Sequence, residues 1–69
     1  MELKLGDVLV FKDKIANLIG PITVWGVDCN RRVRYSYGLM DEKRGYFFAN
    51  EKDLLRETKK LSKLEIELL

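Results

Sequence analysis

The clearest pattern in the chain is an alternation. Val33, Tyr35, Tyr37 and Leu39 are apolar or aromatic, and Arg32, Arg34, Ser36 and Gly38 between them are basic or small. Successive side chains of a strand point to opposite faces, so this segment predicts a half-buried strand with one core face and one basic face. Before it come Gly20-Pro21 and the run Ile22 to Val27, β-branched apart from Trp25 and Gly26. Pro donates no ladder hydrogen bond and suits the start of a strand. Ile22 and Val24 are expected on one face, with Thr23, Trp25 and Val27 on the other. Gly26 predicts a bulge or sharp bend that curls the sheet. Asp28-Cys29-Asn30-Arg31 reads as the turn, which makes residues 20–39 a hairpin.

The flanking pattern extends this unit in both directions. Gly6-Asp7 marks a turn into a strand at Val8 to Phe11, and Lys12-Asp13-Lys14 is a solvated tip. Ile15 to Ile19 reads as a short helical turn or a loop whose apolar side chains cover one end of the domain. Met40 to Arg44 is a charged loop, and Gly45 to Ala49 predicts a fourth strand. One strand in roughly every ten to fifteen residues fits a small all-β barrel. Asn50 then opens a different regime as a helix N-cap, with Glu51 and Asp53 in the first turn. Leu54, Leu55, Leu61, Leu64 and Leu68 fall largely on one helical face. Either one helix runs from residue 51 to the end, or a short turn precedes a closing strand and a shorter helix. Residues 64–68 alternate with period two, so they too are candidates for that strand.

Size limits what such a chain can do. Its 69 residues form one domain that buries only about 60% of its unfolded surface, so a second subunit would help its core. Apolar runs such as Val8–Phe11 are far shorter than the roughly 20 residues of a membrane span. Cys29 is the single cysteine, which rules out an internal disulfide and suits a reducing compartment; the cytoplasm is expected. With no histidine, the commonest general base near neutral pH is missing, and Ser36, Ser62 and Cys29 lack a partner for a nucleophilic triad. One Cys and no His cannot build a typical metal site. The expectation is a non-enzyme with no cofactor. The net charge is only +2, but residues 1–49 hold eight Lys or Arg against six Asp or Glu, whereas residues 50–69 hold five of each. The excess sits at Arg31, Arg32, Arg34, Lys43 and Arg44.

Gly6-Asp7-Val8, Lys12, Gly20-Pro21 and Thr23-Val24 together resemble small SH3-like barrel proteins of bacteria and their prophages, including the uncharacterised YodC-like family. The likeness spans about residues 5–56. It departs from the family in the seven residues between Lys12 and Gly20, in Tyr35-Ser36-Tyr37, and in the C-terminal extension. It implies a mainly β fold, a small SH3-like antiparallel barrel of four or five strands over residues 1–56. Residues 57–69 would be an amphipathic helical extension that packs on the barrel or on a partner. The resemblance carries no catalytic residues.

The candidate binding residues are Arg31, Arg32, Arg34, Arg44, Lys43 and Trp25. Arg32 and Arg34 are two apart on one strand face, about 6.5–7 Å, a spacing that suits carboxylates on a protein or successive phosphates. Trp25 would add a stacking surface. The same arginines are also what a half-buried strand needs to solvate its outer face. Most of the aromatics are expected in or near the core, but Phe47 and Phe48 are adjacent and face opposite ways, so one needs cover from the C-terminal leucines or a second subunit. Three roles remain open: a protein-interaction module, encoded by a phage or mobile element; a nucleic-acid binder; and a homodimer joined through Leu61, Leu64 and Leu68.

Overall fold

The computed structural model describes residues 2–69. Its first strand, β1 (Val8–Phe11), is followed by a single helical turn, α1 (Lys14–Asn17). Then come β2 (Ile22–Val27), β3 (Arg32–Tyr37) and β4 (Phe47–Asn50), and the chain ends in α2 (Glu51–Glu57), β5 (Thr58–Lys60) and α3 (Lys63–Glu67). The fold is mainly β: five antiparallel strands in one sheet, in the order β4-β3-β2-β1-β5. The last strand returns to pair with the first, and β4 and β5 form the two open edges. Of the C-terminal alternatives, the short helix followed by a closing strand and a second helix is the one adopted. That closing strand is residues 58–60, so the sheet continues past residue 56 and the helical extension starts only at Lys63.

The core lies on one face of the sheet and consists of Leu3, Leu9, Ile22, Val24, Val33, Tyr35 and Leu54. Val33 and Tyr35 point inward as their alternation predicts, and Arg32 and Arg34 point outward. Leu39 does not follow them; it lies beyond the strand and is exposed. The strand register also slips between Val24 and Gly26, a bulge that sets Trp25 and Gly26 together opposite Arg34. An inserted residue resets the side-chain parity. Val27, expected beside Thr23 and Trp25, therefore pairs with Val33 and packs on the core.

The outer face of the sheet is only partly wet. Thr23 and Ser36 lie on it, yet both are 0% exposed. Thr23 is roofed by the turn after β3, donating its hydroxyl to the Gly38 carbonyl at 2.7 Å and accepting the Met40 N–H at 2.8 Å. Ser36 is covered by Trp25, whose indole N–H donates to its Oγ at 2.7 Å.

The short helices have local causes. Asp13 caps α1 by accepting from the N–H groups of Ile15 and Ala16, and Asn50 caps α2 by accepting from Lys52. Ser62 and Glu65 form a reciprocal capping box at the start of α3. The expected cover over one end of the domain is not made by residues 15–19. One turn of helix lifts Ile15, Leu18 and Ile19 into solvent, with Leu18 85% exposed. The C-terminal leucines divide as well. Leu61 is buried, whereas Leu64, Leu68 and Leu69 are exposed, so Leu61 is not available to a dimer seam. Leu61, Leu68 and Leu69 line a groove of about 390 Å³ with Val10 of β1. This is the far end of the sheet from β4, and Phe47 and Phe48 are both left exposed.

Candidate functional site

The outward residues of β2, β3 and β4 form a continuous face of arginines and aromatic rings. Antiparallel pairing places Arg34 opposite Phe48 and Tyr35 opposite Phe47, so the two phenylalanines divide between the faces. Phe47 turns inward against Tyr37, with ring centroids 4.8 Å apart, and Phe48 turns outward. The Arg32 Cζ lies 5.4 Å from the Phe48 ring centroid, and the Arg34 Cζ lies 4.9 Å from that of Tyr46. Tyr46 also meets Trp25 edge-on at 6.4 Å, which completes a run of side chains from β2 to the loop before β4. The Tyr46 hydroxyl donates to the Glu42 carboxylate, which raises the Tyr46 pKa above its ordinary value.

A guanidinium stacked on a ring uses its flat face and keeps its in-plane N–H donors free. Neither Arg32 nor Arg34 has a carboxylate partner among the described residues, although six other ion pairs are present. Between these side chains lies a shallow cleft of about 240 Å³ lined by Gly26, Val27, Asp28, Arg32, Arg34 and Phe48. Gly26 borders open space on this side: a β-carbon built there would meet no atom within 4 Å. Asp28 lies at the rim, but its Oδ1 already accepts the N–H groups of Asn30 and Arg32 at 2.9 Å, where it organises the hairpin turn.

The six residues expected to bind together are therefore only partly assembled. Arg32, Arg34 and Trp25 share the face, where the Trp25 indole is fixed by its hydrogen bond to Ser36 and its edge contact with Tyr46. Lys43 and Arg44 are exposed in the loop between β3 and β4. Arg31 does not belong to the patch. It adopts a left-handed backbone, φ 58°, as the last residue of the turn, and this swings its side chain toward the start of α2. There its Nε and Nη2 donate to the two oxygens of Glu51 at 2.8 and 2.7 Å.

Glu51 also accepts the Leu3 N–H at 2.8 Å, so one buried carboxylate ties the N-terminal segment, the hairpin tip and α2 together. Arg31 first, then the Leu3 N–H, hold the Glu51 carboxyl below its ordinary value. The sequence offered Glu51 only as a helix-dipole residue. Phe48 and Tyr46 join the site only through the pairing of β3 with β4, which puts every second residue of both strands on the same side.

Comparison with protein-family models, with curated proteins and with solved structures finds no match to this chain. Among the described residues, no group of three or more His, Cys, Asp or Glu side chains is placed to hold a metal ion. No helix among them is long and apolar enough to cross a membrane.

Proposed function

We propose that the chain is a small non-catalytic protein-interaction module that takes an acidic segment of a partner protein on the Arg32–Arg34–Phe48 face. The observation that carries this reading is the pair of guanidinium groups stacked on aromatic rings with no carboxylate partner of their own. Stacking pre-orders each arginine, so less rotamer entropy is lost when a carboxylate docks on its N–H edge. The Gly26 cleft between them accepts an apolar or carboxylate side chain next to the charge. The likeness of residues 5–56 to bacterial and prophage SH3-like proteins supports a phage- or mobile-element-encoded module acting in the cytoplasm, where Cys29 stays reduced.

A second reading, nucleic-acid binding, draws on the same two arginines with the exposed Phe48 ring as a stacking platform. The two are separated by titrating a labelled alternating Glu–Val hexapeptide and a labelled oligothymidylate into the wild type and into a double Arg32→Ala, Arg34→Ala variant. The expected result is binding of the peptide that falls tenfold or more in the double variant. The variant should still fold, because each exposed cation–π contact contributes only about 0.5–1 kcal/mol. Equal peptide affinity in wild type and variant refutes the proposal. Tighter, steeply salt-dependent binding of the oligonucleotide establishes the second reading in its place.

A further inference from the structure

The two open edges of the sheet are built differently. The β5 edge is three residues long, Thr58-Lys59-Lys60, and both lysines are held in ion pairs, Lys59 with Glu65 at 3.0 Å and Lys60 with Asp7 at 3.1 Å. Short strands and lysines are common means of keeping an edge from pairing with another chain. The β4 edge has neither charge nor proline: it reads Phe47-Phe48-Ala49-Asn50, with Phe48 57% exposed. It is an unprotected strand edge beside the arginine face.

Its backbone is also directed outward at the right residue. The Glu51 N–H donates to the Arg31 carbonyl at 2.9 Å, which makes Arg31 and Glu51 a hydrogen-bonded pair. Pairs alternate along an antiparallel ladder. Ala49 and Phe47 therefore turn their backbone groups toward β3, and Phe48 turns its N–H and C=O to the open edge. The Phe48 side chain points to the outer face, under the Arg32 guanidinium. A strand added here would lie about 4.8 Å from β4 and about twice that from β3. Arg32 already leans across Phe48 and so spans the interval between β3 and β4.

We infer that the β4 edge takes an extended segment of the acidic partner as a sixth strand, paired to the Phe48 backbone with its carboxylates turned to Arg32 and Arg34. This deepens the proposed function and rests on it: backbone pairing supplies the register, and the arginines select acidic residues at every second position. A second copy of the chain fits the edge poorly, since β4 against β4 brings no acidic group to either pair of arginines.

The test uses three forms of the alternating Glu–Val hexapeptide with the intact wild-type protein: unmodified, N-methylated at its Glu amides, and N-methylated at its Val amides. In a strand, Glu and Val amides point to opposite edges, so only one edge can pair with β4. The expected result is that one methylated form binds within threefold of the parent and the other loses tenfold or more, and that the parent shifts the Phe48 amide resonance. Equal binding by all three forms overturns strand addition and leaves the acidic-partner reading standing. Equal loss by both methylated forms overturns it too, because pairing at one edge requires a difference. Failure of the unmodified peptide to bind at millimolar concentration overturns both proposals.

Discussion

Thr23 offers a test of how the outer face is held. Its side chain is fully buried, yet its hydroxyl serves two backbone groups of the turn after β3, donating to Gly38 and accepting from Met40. Thr23→Val keeps the shape and removes both hydrogen bonds. Each contributes about 0.5–1.5 kcal/mol net, so the expected loss is about 2 kcal/mol. In a domain of this size 1 kcal/mol moves the melting temperature by about 4–8 °C, which gives a fall of about 8–16 °C. Thr23→Ser is the necessary control. It retains both hydrogen bonds and deletes one buried methyl, at a cost of about 1 kcal/mol or about half that fall. Thermal unfolding followed by circular dichroism ranks the three proteins. The expected order is wild type, then serine, then valine, in descending stability. If valine equals or exceeds serine, the turn is held by packing rather than by the threonine hydroxyl, and the account of the buried outer face is wrong.

Two further outcomes follow from charge and backbone geometry. Glu51 is held below its ordinary 4.5 by Arg31 and the Leu3 N–H, and Glu65 is drawn down to about 2 by the Ser62 N–H and Lys59. A carboxyl lowered by folding stabilises fully above its unfolded value and loses that contribution as pH falls through the folded one. The melting temperature should therefore decline from about pH 5 toward pH 2, and less steeply in a Glu51→Gln variant, whereas parallel curves would exclude Glu51 as a source. Gly38 has φ +97°, and a β-carbon there would lie 3.2 Å from the Asp41 β-carbon. Urea titration should show Gly38→Ala destabilised by about 1–2 kcal/mol and Gly26→Ala, which meets open space, unchanged within about 0.5 kcal/mol.

What could be read from the sequence was what period-two patterning encodes. Val33 and Tyr35 alternate with Arg32 and Arg34 because a half-buried strand writes both its faces into neighbouring positions. Gly26 announced a bulge, but the parity change that returns Val27 to the core depends on where the register slips. Arg31 looked equivalent to Arg32 in the chain. Only the left-handed turn residue and a carboxylate 20 positions later separate their roles. Ile15, Leu18 and Ile19 looked like cover because apolar composition states a preference for burial, while α1 is too short to turn them inward. Phe48 was ambiguous for a related reason: two adjacent phenylalanines must part, and which one faces the arginines is fixed by pairing with another strand.

The Glu51 carboxylate has a consequence for how the domain opens. The three hydrogen bonds it accepts come from residues 48 and 20 positions away, so it closes loops rather than strengthening a local element. Fraying at the N-terminal segment, lifting of α2 and loosening of the hairpin tip each strand the same buried charge. These three motions share that cost, which couples them to one another. Arg32 is the next residue along, so the arginine face is tied at that end to the Glu51 cluster.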